Sequence, residues 1–227
     1  YSGAALGDET GGSLVSIGAK SSIRIDFSLT SMDRGDLDGD GVAELVAISK
    51  VKMVILKLRE GRLHVVQEVS LGNRYKAHVV NLADLDNDGR SEIYISGNEL
   101  FNPSSRIYQW SDQEGLSTLD QQIRWYIRPV HDESGKTILV GQRGSKVADN
   151  NFLAKGLFIL ERDKKNNRLT GWRRFPVPEN VNLFDFVKAD LDGDNQLEIV
   201  TIDRNEKMLV YSASGELLWV SDGEYGG

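Results

Sequence analysis

The sequence predicts an all-β fold assembled from repeats of one four-stranded unit, and two observations carry that reading. First, the decapeptide DLDGDGVAEL at 36–45 returns in the same register as DLDNDGRSEI at 84–93 and DLDGDNQLEI at 190–199. Second, β-rich runs such as KMVILKL and LHVVQEV alternate with Gly-containing turns, and no stretch of ten or more residues carries a helical period. The motif starts at 36, 84 and 190 lie 48 and 106 residues apart. A repeat of about 50 residues with one silent copy near residue 137 accounts for both spacings. At the silent position IRPVHDESGKTILVGQ (127–142) keeps the strand–turn–strand outline, but the turn is short and lacks the three Asp.

Four-stranded repeats of this length are a signature of β-propeller blades. We therefore expect blades at about 23–74, 75–122, 123–178 and 179–227, with residues 1–22 as an N-terminal tail or a strand of a preceding blade. In the first blade strands are expected at 24–31, 44–49, 52–58 and 63–69. In the second, AHVVNLAD, SEIYIS and SRIYQW are followed by a weaker stretch at 119–126. The third is read from WYIRPV, KTILVGQ, KGLFILER and RLTGWRRF, and the fourth from NLFDFVKAD, LEIVTID, KMLVYSAS and ELLWVS. EG at 60–61, DQEG at 112–115 and SASG at 212–215 punctuate the strands as hairpins require. Residues 143–155 form an unusually long connection, the kind of loop that often carries function.

Composition narrows the chemistry. The 227 residues contain no Cys, which excludes disulfides, thiolate metal sites and thiol nucleophiles. The formal charge of −7 argues against a general nucleic-acid binder, and no apolar run is long enough to span a membrane. The chain opens on Tyr1 without a basic-then-apolar leader, and we expect a processed or excised piece. Twelve of the 34 acidic residues sit in the three motifs, and without them the 27 Lys and Arg would leave the chain net positive. The acidity of the protein is therefore mostly the acidity of three short loops.

Aspartates at alternating positions of a tight Gly-containing loop converge on one point, where their repulsion calls for a cation. Hard oxygen donors without His or Cys select a hard ion. Calcium, with about 6–8 oxygen ligands and flexible geometry, suits them better than octahedral magnesium. The candidate ligands are the carboxylates of Asp36, Asp38, Asp40 and Glu44, of Asp84, Asp86, Asp88 and Glu92, and of Asp190, Asp192, Asp194 and Glu198. The position-7 carbonyls of Val42, Arg90 and Gln196 would complete the rings, for up to three Ca2+ ions. An EF-hand is rejected, because its position 12 requires Glu and here holds Ala47, Ile95 or Thr201 between strands rather than helices.

With these residues in view, the chain resembles the FG-GAP/VCBS repeat family, the calcium-loop propellers that include the integrin α-subunit head. The family motif D-x-D-x-D-G-x-x-D/E matches at Asp36–Glu44 and at Asp84–Glu92. At Asp190–Glu198, Asn195 stands where Gly is expected, and Asn tolerates left-handed backbone better than most residues. The resemblance covers about residues 23–222. It implies a secreted, periplasmic or cell-surface setting, with calcium bracing hairpins rather than doing chemistry. Family propellers commonly carry seven blades, so the four expected here form either a ring of their own or part of a larger propeller.

No catalytic constellation is visible. His64, His78 and His131 fall in different repeats, and no G-x-S-x-G, P-loop or G-x-G-x-x-G occurs. Asp185 and Asp203 show no partner in the sequence. Trp110, Trp125, Trp172 and Trp219 are expected to pack between blades, with sugar stacking as the alternative. Lys164, Lys165, Arg168, Arg173 and Arg174 read as solvated hairpin faces. The expected function is a non-enzymatic, extracytoplasmic binding or adhesion scaffold meeting a protein or glycan partner. A glycan-binding lectin is the alternative, and the propeller of a polysaccharide lyase stands third.

Overall fold

A computed structural model describes residues 25–132, 134–145, 153–163 and 168–225. Its described residues form strands and turns only, in four antiparallel sheets. Sheet I contains β1 (Ser31–Gly35), β2 (Glu44–Ile48), β3 (Lys52–Arg59) and β4 (Arg62–Ser70) in that order. Sheet II runs β5 (Tyr75–Ala83), β6 (Glu92–Glu99), β8 (Ser105–Ser111) and β9 (Gly115–Ile123), with the two-residue β7 (Asn102–Pro103) paired to the end of β6. Sheet III is β10 (Tyr126–His131), β11 (Thr137–Gln142), β12 (Phe158–Arg162) and β13 (Leu169–Arg174). Sheet IV is β14 (Phe186–Ala189), β15 (Glu198–Ile202), β16 (Met208–Tyr211) and β17 (Leu217–Val220). Each acidic decapeptide links the first two strands of its sheet and ends inside the second.

Period-2 alternation explains how the sheets stack, because successive side chains point to opposite faces. On β2 and β3, Val46, Ile48, Met53 and Ile55 point into one cluster, while Ala47, Val54 and Leu56 point into another. The first cluster also takes Tyr75, Ala77, Ile93, Ile95, Tyr108 and Trp110, and so joins sheets I and II. Tyr94 and Ile107 on the other face of sheet II meet Ile127, Leu139 and Leu160 of sheet III, together with Trp125 just before β10. Val140, Ile159 and Leu157 then meet Phe186, Ile199, Leu209 and Tyr211 of sheet IV. The buried clusters thus join the sheets in chain order, and among the described residues none joins sheet IV to sheet I. Fully burying one such aliphatic or aromatic side chain contributes about 1.5–3 kcal/mol, so these seams dominate the stability of the stack.

Polar pegs reinforce each seam. Ser31 Oγ and Asp33 Oδ2 on β1 accept from the Val80 and Leu82 amides of β5 at 3.2 and 2.8 Å. Ser96 Oγ both accepts from Ile127 N and donates to Ile127 O at 2.7 Å, and Ser105 Oγ donates to Trp125 O at 2.6 Å. Between sheets III and IV, Gln142 Oε1 accepts from Leu183 N, and the Arg128 guanidinium donates to the Leu183 and Phe186 carbonyls. Close approach of backbone to side chain decides one glycine: a Cβ on Gly97 would lie 2.5 Å from the Tyr75 ring and 2.6 Å from Lys76 O.

Two expectations need correction. The first strand of sheet I is Ser31–Gly35, not 24–31, and it runs straight into the acidic loop. Its sequence SMDRG lacks apolar alternation because its inward positions are pegs rather than hydrophobes. The weak fourth strand of sheet II begins at Gly115 and ends at Ile123, while Tyr126 already belongs to sheet III. The expected tail at 1–22 lies outside the described residues, as does most of the 143–155 connection.

Candidate metal centres

Each acidic loop is built by the same hydrogen bonds, which follow from the spacing of its side chains. The position-1 Asp accepts from amides three to five residues further round the turn. Asp36 takes Gly39 N and Gly41 N at 2.7 and 2.8 Å, Asp84 takes Asp88 N and Gly89 N, and Asp190 takes Gly193 N and Asn195 N. Oδ1 of the position-3 Asp accepts from the position-5 amide, and Oδ1 of the position-5 Asp accepts from the position-7 amides of Val42, Arg90 and Gln196. Oε2 of the position-9 Glu reaches back to the position-2 amide, at Leu37, Leu85 and Leu191. Turning this tightly demands left-handed backbone at positions 4 and 6. Gly39, Gly41, Gly89 and Gly193 supply it, and so do Asn87 at φ 61° and Asn195 at φ 65°. The Asn195 departure from the motif is therefore conformationally satisfied.

The loop amides use one oxygen of each carboxylate at positions 3, 5 and 9 and leave the other without a backbone bond. In the second loop, ligand oxygens of Asp84, Asp86, Asp88 and Glu92 all lie within 4.8 Å of one another. Glu92 is only 4% exposed, and its Oε1 is buried without a hydrogen-bond partner. Its Oε2 accepts from Tyr94 Oη at 2.7 Å as well as from Leu85 N. Burial raises the Glu92 pKa above the ordinary carboxylate value, and the nearby Asp86 and Asp84 charges push the same way against the lowering effect of those two donors. A buried carboxylate oxygen with no donor, in a cluster with three more carboxylates, is a position that a cation would stabilise. The donor set is all oxygen and fits calcium. Arg90 donates to Asp88 Oδ2 at 2.8 Å and holds the Asp88 pKa low.

The first and third loops bring together Asp36, Asp38 and Asp40, and Asp190, Asp192 and Asp194, without the position-9 Glu in the same tight group. In the third, Gln196 Nε2 donates to Asp194 Oδ2 at 2.9 Å, and Glu198 is buried against Leu191 N. In the first, a residue that sequence reading passed over is decisive. Lys57, 6% exposed, places Nζ 2.5 Å from Asp38 Oδ2, 2.9 Å from Asp40 Oδ2 and 3.3 Å from Glu44 Oε1. Burial alone would lower the Lys57 pKa, but the hydrogen bonds to Asp38, Asp40 and Glu44 outweigh it and hold the ammonium charged. Glu44 itself is pushed up, chiefly by burial. Within KMVILKL the signal was a cation at the end of an apolar run, one step beyond the Leu45–Leu56 pair and so opposite Glu44.

Several of the other singled-out residues serve turns, seams or ion pairs. His64, His78 and His131 are exposed on different sheets, with His78 Nε2 on Asn98 Oδ1 and His131 Nδ1 on Thr137 Oγ1. Asp203 and Asp185 do have partners: Asp203 closes the 203–207 turn by accepting from the Asn205 and Lys207 amides, and Asp185 accepts from Asn182 Nδ2. Trp110 and Trp125 are buried in the inter-sheet clusters, whereas Trp172 and Trp219 are about half exposed. Arg174 pairs with Glu179, and Lys164 and Lys165 lie outside the described residues. At the silent position Asp132 caps a short turn, its Oδ1 accepting from Ser134 and Lys136.

Comparison with known families agrees with the motif. Residues 12–95 match the model of the FG-GAP-like repeat, a span that contains the first two acidic loops, so the chain carries an FG-GAP-like repeat. No curated protein matches the chain.

Proposed function

We propose that this chain is a calcium-braced, FG-GAP-type segment of a β-propeller that serves as a non-enzymatic binding or adhesion scaffold outside the cytoplasm. The observation that carries the metal reading is Glu92 Oε1, buried and undonated within a cluster of four carboxylates. Asp84, Asp86, Asp88 and Glu92 would hold the ion, with the Arg90 carbonyl as a further ligand, and the Asp36 and Asp190 loops repeat the pattern through Val42 and Gln196. A bound calcium would supply the charge that cancels carboxylate repulsion. The chain's own residues do the rest: the Asx-type turns pre-shape each loop, and the position-9 Glu fastens it to the second strand of its sheet. The position-1, -3 and -5 Asp are partly open to solvent. That suits the weaker affinities, about 10⁻⁴–10⁻³ M, typical of extracellular calcium modules.

Bracing hairpins rather than catalysing a reaction fits the residues at hand, because every clustered carboxylate already serves a turn. Calorimetric titration of chelator-treated protein with calcium tests the reading. One site fewer in Asp86→Asn than in the parent chain is the expected result, and absence of binding in the parent chain would refute it. A glycan partner is the second reading, favoured by Trp172, 59% exposed beside the Arg173 guanidinium, and by Trp219. A glycan array probed with calcium-loaded protein and with Trp172→Ala separates that reading from a protein partner.

A further inference from the structure

The three loops share one backbone network but not the residue that stands opposite the position-9 Glu on the neighbouring strand. In sheet I that position is Lys57, opposite Glu44. In sheet II, one step beyond the Ile93–Tyr108 pair, it is Gln109, and in sheet IV, one step beyond Ile199–Tyr211, it is Ser212. Only sheet I places an ammonium there. The three oxygens Lys57 Nζ approaches, Asp38 Oδ2, Asp40 Oδ2 and Glu44 Oε1, are those the loop's own amides leave unused. Asp112 Oδ2, from the β8–β9 turn of sheet II, closes on the same nitrogen at 3.4 Å and is shared with Arg59 at 3.2 Å.

We propose that Lys57 is a tethered cation occupying the 36–44 loop, so that the cation position is filled from within and the loop takes no calcium, while removing the ammonium converts it into a calcium site. This inference rests on the calcium reading of the loops and decides which of them needs metal. Glu44 is fully buried, and its Oε1, like that of Glu92, takes no hydrogen bond from its loop's own amides. In the second loop no ammonium faces it, and in the first Nζ does, at 3.3 Å. A compact point charge on a flexible stem is suited to this exchange, since it carries one positive charge without demanding bidentate geometry. The divalent ion and the ammonium compete for the same three oxygens, and the ammonium is covalently present at all calcium concentrations.

Calcium stoichiometry of chelator-stripped protein, counted by calorimetry, tests this in four variants. Lys57→Met is expected to bind one more ion than the parent chain, and Asp38→Asn in the parent to leave the count unchanged. Combining Asp38→Asn with Lys57→Met should cancel the added site. Where Lys57→Met does not fold in chelator, it is refolded in calcium and counted by bound-metal analysis after gel filtration. Gln109→Lys gives the reciprocal reading, with one ion fewer than the parent. A parent count that falls on Asp38→Asn, or a Lys57→Met chain with no added ion, overturns the proposal. If the parent and Gln109→Lys both bind nothing, the calcium reading itself has failed. Lys57→Met then still discriminates: gain of one ion supports the tethered cation, and no gain removes it.

Discussion

Replacing Glu92 by Gln separates a metal ligand from a merely structural acid, because the two roles predict opposite signs in chelator. Glu92 Oε2 accepts from Tyr94 Oη and Leu85 N, and the Gln carbonyl can keep both bonds. The other oxygen, now an NH2, faces Asp84, Asp86 and Asp88 and becomes a donor where a charge stood undonated. Burial and those neighbours raise the Glu92 pKa, so its ionised form is disfavoured in the metal-free fold. Glu92→Gln should therefore be at least as stable as the parent chain in chelator. In calcium the order reverses. One site filled at 100 times its Kd stabilises by about 2.7 kcal/mol. In a chain of this length each kcal/mol moves the Tm by roughly 2–4 °C, so the parent chain should gain about 5–11 °C from the second loop. The variant, with its calcium affinity weakened about a hundredfold, should keep only about 0.4 kcal/mol of that gain. Differential scanning calorimetry with and without calcium reads both arms. A variant that loses several degrees in chelator, or one that keeps the full calcium shift, refutes the assignment of Glu92 as a ligand.

Three further outcomes follow from packing and hydrogen bonding. Gly97→Ala drives a Cβ into the Tyr75 ring and the Lys76 carbonyl, and should lose about 1–3 kcal/mol in urea unfolding. Gly141→Ala meets the Leu160 side chain first rather than backbone and should lose less. Equal losses at the two sites would contradict the geometry. Ser96→Ala strands both the Ile127 amide and its carbonyl across the II–III seam, costing about 2 kcal/mol or more, with faster amide exchange at Ile127 as the local readout. Asn195→Gly should be close to neutral in calcium binding and stability, whereas Asn195→Val, forced to positive φ, should cost about 1–2 kcal/mol and weaken the third loop.

The acidic loops were legible because period, spacing and residue chemistry coincide at Asp36, Asp84 and Asp190, and the FG-GAP resemblance stood on the same residues. The second and third strands of sheet I were also readable, since burial on both faces writes a continuous apolar run. The first strand was not. Ser31–Gly35 is held by the Ser31 and Asp33 side chains accepting from amides of the next sheet, a contact that leaves no hydrophobic trace in SMDRG. Lys57 escaped for a different reason. Its role depends on register, one step past Leu56, and register across a hairpin is a tertiary fact. Asp203 looked unpartnered because its partners are backbone amides of its own turn.

The alternation that stacks the sheets also gives the array a direction. Each joint pairs unlike faces, as when Ile93 and Ile95 of sheet II meet sheet I while Tyr94 meets sheet III. Such contacts are head-to-tail, not self-complementary. On the far face of sheet IV the register lines up Val187, Val200, Val210 and Trp219 side by side, with Val187 56% and Trp219 48% exposed. On the corresponding end of sheet I, Ile25 and Phe27 pack over the cluster of Ala47, Val54 and Leu56. The described fold therefore has a covered pole and a bare one. An environment-sensitive hydrophobic dye would gather at the bare pole, with its emission quenched or shifted by changes at Trp219 and not by changes at Ala47.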